Sequence, residues 1–188
     1  MVLFLLSGAI FVFATDQVAA VQDGDYAYTT GGSPAVATVT GYTGVGGVIT
    51  IPSTLGGYAT VAIGDYAFSA CIALPSVTIP SGITYIGNSS FSICWVLSSI
   101  NIPNSATALG DIAFYGCKAM TSATIGSGVT TIGNQSFAAC SNLTSISFMG
   151  FAAPTSIGVN WIQSTASGIA GHALAASNFP QPGGSFRG

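Results

Sequence analysis

Apolar and small residues recur along the middle of the chain at a fixed spacing of 23 residues. Cysteine, phenylalanine and glycine all follow this period, in the sets Cys71, Cys94, Cys117 and Cys140; Phe68, Phe91, Phe114 and Phe137; and Gly64, Gly87, Gly110 and Gly133. A fixed period of this length is typical of a solenoid, in which each repeat forms one coil and buries its apolar side against its neighbours. The pattern therefore predicts one array of about five stacked coils.

A short strand of alternating polarity opens each repeat. In residues 76–79 we expect Val77 and Ile79 to face the core, because successive side chains of a strand point to opposite faces. Ser76 and Thr78 then face outwards. Strands of stacked coils pair in parallel, about 4.8 Å apart.

Two further segments complete each repeat. A short extended segment, such as residues 83–86, ends at Gly87, where we expect a turn with a positive φ. A compact helical turn follows, such as residues 89–94, with the Phe91 and Cys94 side chains directed into the core. The predicted fold class is an α/β repeat solenoid, a right-handed coil with a parallel β-sheet and short helical turns.

The repeated motif resembles the BspA-type leucine-rich repeat. Two copies carry the resemblance, Ile-Gly-Asp-Tyr-Ala-Phe-Ser-Ala-Cys at residues 63–71 and Ile-Gly-Asn-Gln-Ser-Phe-Ala-Ala-Cys at residues 132–140, each followed by a leucine and a short strand. The resemblance covers roughly residues 48–148. It implies a leucine-rich-repeat-like coil in a secreted or cell-surface protein used for adhesion, without shared catalytic residues.

The composition along the chain divides it into four parts. Residues 1–20 form an apolar segment, signal-like or retained, because an apolar run at 2–13 precedes small residues that suit cleavage. Residues 21–47 form a lead-in or cap, residues 48–148 the solenoid, and residues 149–188 a closing segment. The apolar run is shorter than the roughly 20 residues that a transmembrane helix needs, so we expect no membrane span. Whether the segment is cleaved stays open.

The chain carries very little charge. Charged residues make up 4% and hydrophobic residues 49% of it, whereas about a quarter of an ordinary soluble domain is charged. Serine and threonine, attached sugars or burial in an assembly must then supply the hydration that charges usually give. The two cations, Lys118 and Arg187, are too few to neutralise a phosphate backbone, which excludes nucleic acid as a partner.

The four cysteines have two interpretations. An exported protein could join them as disulfides, but identical side chains stacked in parallel favour packed thiols that behave as small hydrophobes. Ligands 23 residues apart without a nearby histidine fit no zinc site, so we expect no metal and no cofactor. We expect no catalytic site either, because His172 is the only histidine and the chain has no glutamate.

Asp65, Asn88, Asp111 and Asn134 occupy one repeat position, directly after the turn glycine. Their side chains are expected to cap the helical turns by accepting hydrogen bonds from free amides. Asn88, Asn134 and Asn142 also begin Asn-X-Ser/Thr motifs, which makes them candidate glycosylation sites. Because capping competes with glycosylation at the first two, Asn142 is the better candidate.

Outward strand positions form two rows on a flat, uncharged face. The candidate binding residues on this face are Ser76, Thr78, Ser99, Asn101, Ser122, Thr124, Ser145 and Ser147. One interpretation is a cross-strand ladder of serine and threonine that stabilises the sheet. The other is a docking surface for a protein or a carbohydrate.

The favoured function is that of a non-enzymatic extracellular structural protein. Low charge, an apolar N-terminal segment and array ends without a charged cap favour self-association into a fibre or surface coat, since head-to-tail contacts that do not close give a filament. The alternative is a cell-surface adhesin that recognises protein or carbohydrate through the Ser/Thr face. The expected partners are other copies of the chain, glycans or a surface protein.

Overall fold

A computed structural model describes residues 20–150 and 153–166, and the backbone of residues 170–173. Apart from Ala20, the signal-like N-terminal segment lies outside the described residues, as does Arg187. The described residues form these strands: β1 (Val21–Asp23), β2 (Tyr26–Gly31), β3 (Val36–Tyr42), β4 (Val48–Thr50), β5 (Thr54–Leu55), β6 (Tyr58–Ile63), β7 (Ser76–Thr78), β8 (Tyr85–Ile86), β9 (Ser99–Asn101), β10 (Ala108–Leu109), β11 (Ser122–Ile125), β12 (Thr131–Ile132), β13 (Ser145–Phe148), β14 (Ser156–Ile157) and β15 (Ala170–Ala173).

The strands build a parallel β-solenoid of about five turns, which confirms the predicted array. One sheet has the order β1-β2-β3-β6-β8-β10-β12-β14, with β5 paired to β6. The other has the parallel order β15-β13-β11-β9, and β4 pairs in parallel with β7 at the equivalent position of the first coils. The register advances by one repeat at each step, since Ser122 lies opposite both Ser99 and Ser145.

The lead-in packs onto the first coil. β3 runs parallel to β6, with Val39 opposite Ile63, whereas β2 and β1 continue the sheet in antiparallel fashion. Ala37 and Val39 are fully buried. The antiparallel strands therefore cover the edge that the first sheet would otherwise present at this end.

The core is organised around a column of aromatic rings. The four repeat phenylalanines are fully buried, and their neighbouring ring centroids lie 4.9, 5.3 and 5.0 Å apart with planes within 13° of parallel: Phe68, Phe91, Phe114 and Phe137. Tyr42 closes the column at one end, tilted by 30° at 5.4 Å. Trp161 closes the other end, nearly perpendicular to Phe137 at 6.3 Å. The inward direction predicted for phenylalanine is confirmed.

The predicted helical turns are wrong, since the described residues contain no helix. In residues 64–71, Tyr66 and Ala70 adopt left-handed φ values of 60° and 58°, which a right-handed helix does not contain. The N–H groups of Tyr66, Phe68 and Ala70 donate to carbonyls of the next coil, as in Tyr66 N–H to Asn88 O at 2.9 Å. The intervening N–H groups bond three residues back within the turn. The turn therefore joins coils together, and an α-helix would have used these donors internally.

The repeat glycines also serve a different purpose from the predicted one. Gly87, Gly110 and Gly133 do not have positive φ values. A Cβ added to Gly87 would lie 2.6 Å from the carbonyl carbon of Gly64 in the preceding coil. Only glycine allows so close an approach of two backbones.

Removing one ring from the column should destabilise the whole array. We expect Phe114→Ala to lower the free energy of unfolding by about 3–5 kcal/mol, because a buried phenylalanine leaves a cavity between two other rings. Chemical denaturation with circular dichroism measures this change.

The matched control is Tyr115→Ala, since the neighbouring tyrosine is 37% exposed. Tyr115→Ala should lower the free energy of unfolding by clearly less than Phe114→Ala does. Equal losses for the two variants would contradict the central role of the column.

Candidate functional site

The structure places six of the eight predicted binding residues on β9, β11 and β13 of the second sheet, and Ser76 and Thr78 on β7, which lies beside β9. We call this set the hydroxyl face: Ser76, Thr78, Ser99, Asn101, Ser122, Thr124, Ser145 and Ser147. Ser122 lies opposite Ser99 and Ser145, and in the neighbouring row Thr124 lies opposite Asn101 and Ser147. All eight side chains are exposed or half-exposed.

None of the eight side chains makes a hydrogen bond to another described residue. The cross-strand pairs that the ladder interpretation requires are present, but they contain no side-chain hydrogen bonds. The donors and acceptors of the hydroxyl face are available to a partner.

Two other rows do form hydrogen-bonded ladders. The hydroxyl of Thr107 donates to Thr84 O at 3.1 Å, and that of Thr130 donates to Thr107 O at 3.2 Å. A second ladder has Thr121 donating to Ser98 O at 3.3 Å. Sequence reasoning missed both ladders, although these residues also recur every 23 positions. The period alone does not distinguish a hydroxyl that bonds the adjacent coil from one that faces solvent.

The Asp/Asn row forms a third ladder, so the helix-capping prediction is wrong. The side-chain Oδ1 of Asp65 accepts from the N–H of Asn88 at 2.7 Å, and Asn88 Oδ1 accepts from the N–H of Asp111 at 2.8 Å. The same contact continues from Asp111 to Asn134 at 2.7 Å and from Asn134 to Val159 at 2.9 Å. Each side chain therefore bonds the next coil, and the described residues offer no helix to cap.

Alternation of aspartate and asparagine strengthens this ladder. Asn88 Nδ2 donates to Asp65 Oδ2 at 3.2 Å, and Asn134 Nδ2 donates to Asp111 Oδ2 at 3.3 Å. An amide between two carboxylates supplies a donor and separates like charges.

The candidate glycosylation residues differ in their surroundings. The side-chain nitrogens of Asn88 and Asn134 are occupied in this ladder. The Asn142 side chain is exposed and makes no hydrogen bond to another described residue.

All four cysteines are free thiols, as the packed-thiol interpretation predicts. Cys94 Sγ donates to Phe68 O and Cys117 Sγ to Phe91 O, both at 3.2 Å. Burial raises the pKa of Cys94 to about 12. A hydrogen bond with Cys140, followed by burial, raises the pKa of Cys117 well above its ordinary value. The Cys94 and Cys117 thiols therefore stay protonated near neutral pH, which suits a structural role.

Other titratable groups are dispersed over the described part of the chain. It contains no group of three or more histidine, cysteine, aspartate or glutamate residues placed to hold a metal ion. The backbone of His172 lies opposite Ser147 on β15. Lys118 is exposed, and its Nζ lies 5.5 Å from the centre of the Trp95 ring, which is a cation–π contact.

A model of the BspA type leucine rich repeat region matches residues 61–168 in six copies. The chain belongs to the BspA-type leucine-rich repeat family. The match confirms the resemblance carried by residues 63–71 and 132–140. Among curated proteins, none matches this chain.

Solved leucine-rich repeat proteins have similar folds. One from Bacteroides capillosus is 24% identical with a TM-score of 0.59, over 70% of this chain and 99% of that chain. The T. pallidum leucine-rich repeat protein is 18% identical with a TM-score of 0.57, over 82% of this chain and 86% of that chain. The pneumococcal vaccine antigen PcpA is 18% identical with a TM-score of 0.56, over 86% of this chain and 51% of that chain. At these identities the likeness shows the fold.

The buried thiols predict a loss of stability at alkaline pH. The folded state holds Cys94 protonated up to about pH 12, whereas an unfolded thiol ionises near its ordinary pKa of 9.0. Stability should be independent of this group below pH 9 and should fall between pH 9 and 12, by about 1.4 kcal/mol per pH unit for one thiol.

Denaturation at a series of pH values, with reductant present, measures the slope. Cys94→Ala should reduce the slope of the free energy of unfolding against pH by the contribution of about one thiol. Cys71→Ala should reduce this slope less, because Cys71 is only half-buried. An unchanged slope in Cys94→Ala would contradict the assignment.

Proposed function

We propose that this BspA-type leucine-rich repeat protein is a non-enzymatic cell-surface or secreted protein that binds its partner through the hydroxyl face. The observation that carries the proposal is the contrast between the serine and threonine rows. Two rows elsewhere in the coil have hydroxyls bonded to the adjacent coil, as in Thr107 to Thr84 O and Thr121 to Ser98 O, whereas those of the hydroxyl face have no hydrogen-bond partner among the described residues. A rigid scaffold with free polar groups loses little entropy on binding.

Family membership supports the surface location. PcpA is a pneumococcal vaccine antigen, which is in keeping with this location. Within the described residues, no helix is both long and apolar enough to cross a membrane. Repeat-solenoid proteins of this kind are typically non-enzymatic, which supports a binding role.

The chemistry of the hydroxyl face favours a neutral, polar partner. Hydroxyl and amide groups both donate and accept hydrogen bonds, and none of the eight residues is charged. Glycans and the polar backbone of a surface protein both offer matching groups. Charge-driven recognition is disfavoured, since the face carries nothing to attract an ion.

Placing charges on the hydroxyl face should abolish binding while the fold is preserved. We expect the triple variant Thr78→Lys, Asn101→Lys and Thr124→Lys to lose at least tenfold in affinity for any ligand that the wild type selects on a glycan array or a panel of surface proteins. Three buried, unpaired ammonium groups would each need desolvation at the interface.

The matched control places the same charges on the exposed turn positions Tyr66, Tyr115 and Ser141. It should bind like the wild type. Equal affinity of the face variant and the wild type would remove the hydroxyl face from consideration.

Head-to-tail self-association into a fibre or coat is the second candidate. It is favoured by exposed apolar side chains at the two ends of the array. Val48 on the end strand β4 is 78% exposed. Ile157 on β14 and Val159 after it are exposed at the other end. An end strand with an apolar side chain favours pairing with another chain.

Electron microscopy and light scattering test this candidate. This candidate predicts concentration-dependent filaments from the wild type and none from Val48→Lys, because a lysine on an edge strand opposes pairing. A wild type without filaments at any concentration, or filaments that persist in Val48→Lys, would contradict it.

Two further assignments extend the proposal. Asn142 is the favoured glycosylation site, since its side chain is free. An intact mass equal to that of the bare chain, for protein from a glycosylating host, would contradict this assignment.

We also propose that residues 21–47 act as the N-terminal cap of a solenoid at 48–148, followed by a closing segment at 149–188. Loss of cooperative unfolding on deletion of 21–47 would support this division, and unchanged unfolding would oppose it.

A further inference from the structure

Exposed apolar side chains line the turns of the first coils. We call this set the apolar strip: Val45, Ile72, Ile93, Trp95 and Val96. Ile72 and Trp95 occupy equivalent positions in successive coils, and both are about half-exposed. Val45 is almost fully exposed and precedes Gly47, whose N–H donates to Ala73 O. In the fourth coil the equivalents of Trp95 and Val96 are Ser141 and Asn142, so the strip is confined to one end of the array.

One left-handed position of each turn holds a β-branched residue only within the strip, at Ile93, since its equivalents are Ala70, Gly116 and Ala139. Ile93 has a φ of 64°, a conformation that is unfavourable for a β-branched residue. The equivalent residue of the next coil is Gly116, which adopts it without penalty. Ile93 remains 37% exposed, so burial within the chain does not offset the strain fully.

The strip includes a depression suited to an inserted side chain. A cavity of about 310 Å³ lies between the lead-in loop and the first coil, lined by Tyr42, Gly44, Val45, Cys71 and Ile72 among others. It opens beside two members of the strip. A large apolar side chain from a partner can enter it, in the manner of an interface hot spot.

The two ends of the strip carry opposite charges. Lys118 lies at one end, over the Trp95 ring. Asp25 lies at the other, because a Cβ on Gly44 would be 2.7 Å from its Oδ2. Both are exposed. Asp65 and Asp111 are bonded in the Asp/Asn ladder, and Asp23 accepts from Gly56 N–H, which leaves Asp25 as the uncommitted carboxylate of the described residues.

We propose that the apolar strip is the interface of a symmetric homodimer. A two-fold axis between Ile72 and Trp95 would pair these residues across the contact. The same rotation would bring Lys118, one coil beyond Trp95, to the Gly44–Val45 segment of the second copy, and Asp25 lies beside that segment. A two-fold contact joins one patch to itself and so requires this self-complementarity.

Other occupants fit the strip less well. A membrane surface would meet the aspartate at one end, and an anionic lipid would be repelled there. A second copy supplies a matching charge at both ends. The dimer uses residues outside the hydroxyl face, so it does not depend on the proposed function.

Sedimentation and tryptophan fluorescence test the dimer with the full chain. The protein has two tryptophans, of which Trp161 is buried and Trp95 is half-exposed. We expect a monomer–dimer equilibrium, with a blue shift of the Trp95 emission as the dimer forms. Trp95→Ser should raise the dissociation constant at least tenfold. Val48→Lys, the edge-strand control, should leave it unchanged.

Charge reversal tests the antiparallel arrangement. Lys118→Asp and Asp25→Lys should each weaken the dimer at least tenfold, and the double variant should restore it, because both pairs are re-formed with inverted sign. Circular dichroism verifies that each variant folds. A monomer at every concentration, a dimer that the single changes do not weaken, or a double variant that stays monomeric would overturn the proposal. Wild-type monomers that instead bind neutral vesicles with a Trp95 blue shift would assign the strip to a lipid surface and overturn it as well.

Discussion

The structure depends on the contact between each coil and the next. Alternate N–H groups of every turn donate to the following coil, and the repeat phenylalanines stack at 4.9–5.3 Å across the same step. This step is close to the spacing of paired strands. Because the backbone bonds fix the distance, ladders of threonine, cysteine and Asp/Asn side chains can all bridge it. Each ladder has the 23-residue period because the same hydrogen bond between adjacent coils is repeated in every coil.

This requirement also explains the unusual backbone. A turn that presents its N–H groups to a neighbouring coil must leave the helical path, and Tyr66 and Ala70 do so with positive φ values. The glycine before the turn must admit the backbone of the preceding coil, as at Gly87 over Gly64. The local conformation is therefore determined by stacking and not by the preferences of the residues in the turn.

The sequence was sufficient for the features that follow from periodicity alone. Phe91, Cys94 and Val77 point inwards as predicted, because apolar residues at equivalent positions of a stack share one core. The rows of the hydroxyl face also point outwards, as the alternation of Thr78 and Ile79 predicts. The helical turns, the φ of Gly87 and the capping by Asp65 were wrong for one common reason. A period identifies equivalent residues, but it does not show whether a residue contacts its own turn or the adjacent coil. All three predictions were based on contacts within the turn, whereas the structure uses contacts with the adjacent coil.

The same distinction separates the candidate surfaces from the scaffold. Hydroxyls of Thr107 and Thr121 are bonded between coils, whereas those of Ser122 and Thr124 remain free for a partner. The apolar strip differs again, since Ile93 and Trp95 interrupt the polar exterior on one part of the array only. A rigid repeat scaffold can therefore present two distinct surfaces, one polar and periodic, the other apolar and local.

Amide hydrogen exchange followed residue by residue tests the central contact most directly. The account predicts that the N–H groups of Phe91 and Ile93, which donate to Ala113 and Tyr115 of the next coil, exchange as slowly as those of β9 and β11. Such protection requires opening of the stack before exchange. Rapid exchange of these two turn amides, with the strand amides still protected, would show that the turns do not hold the coils together and would contradict the account.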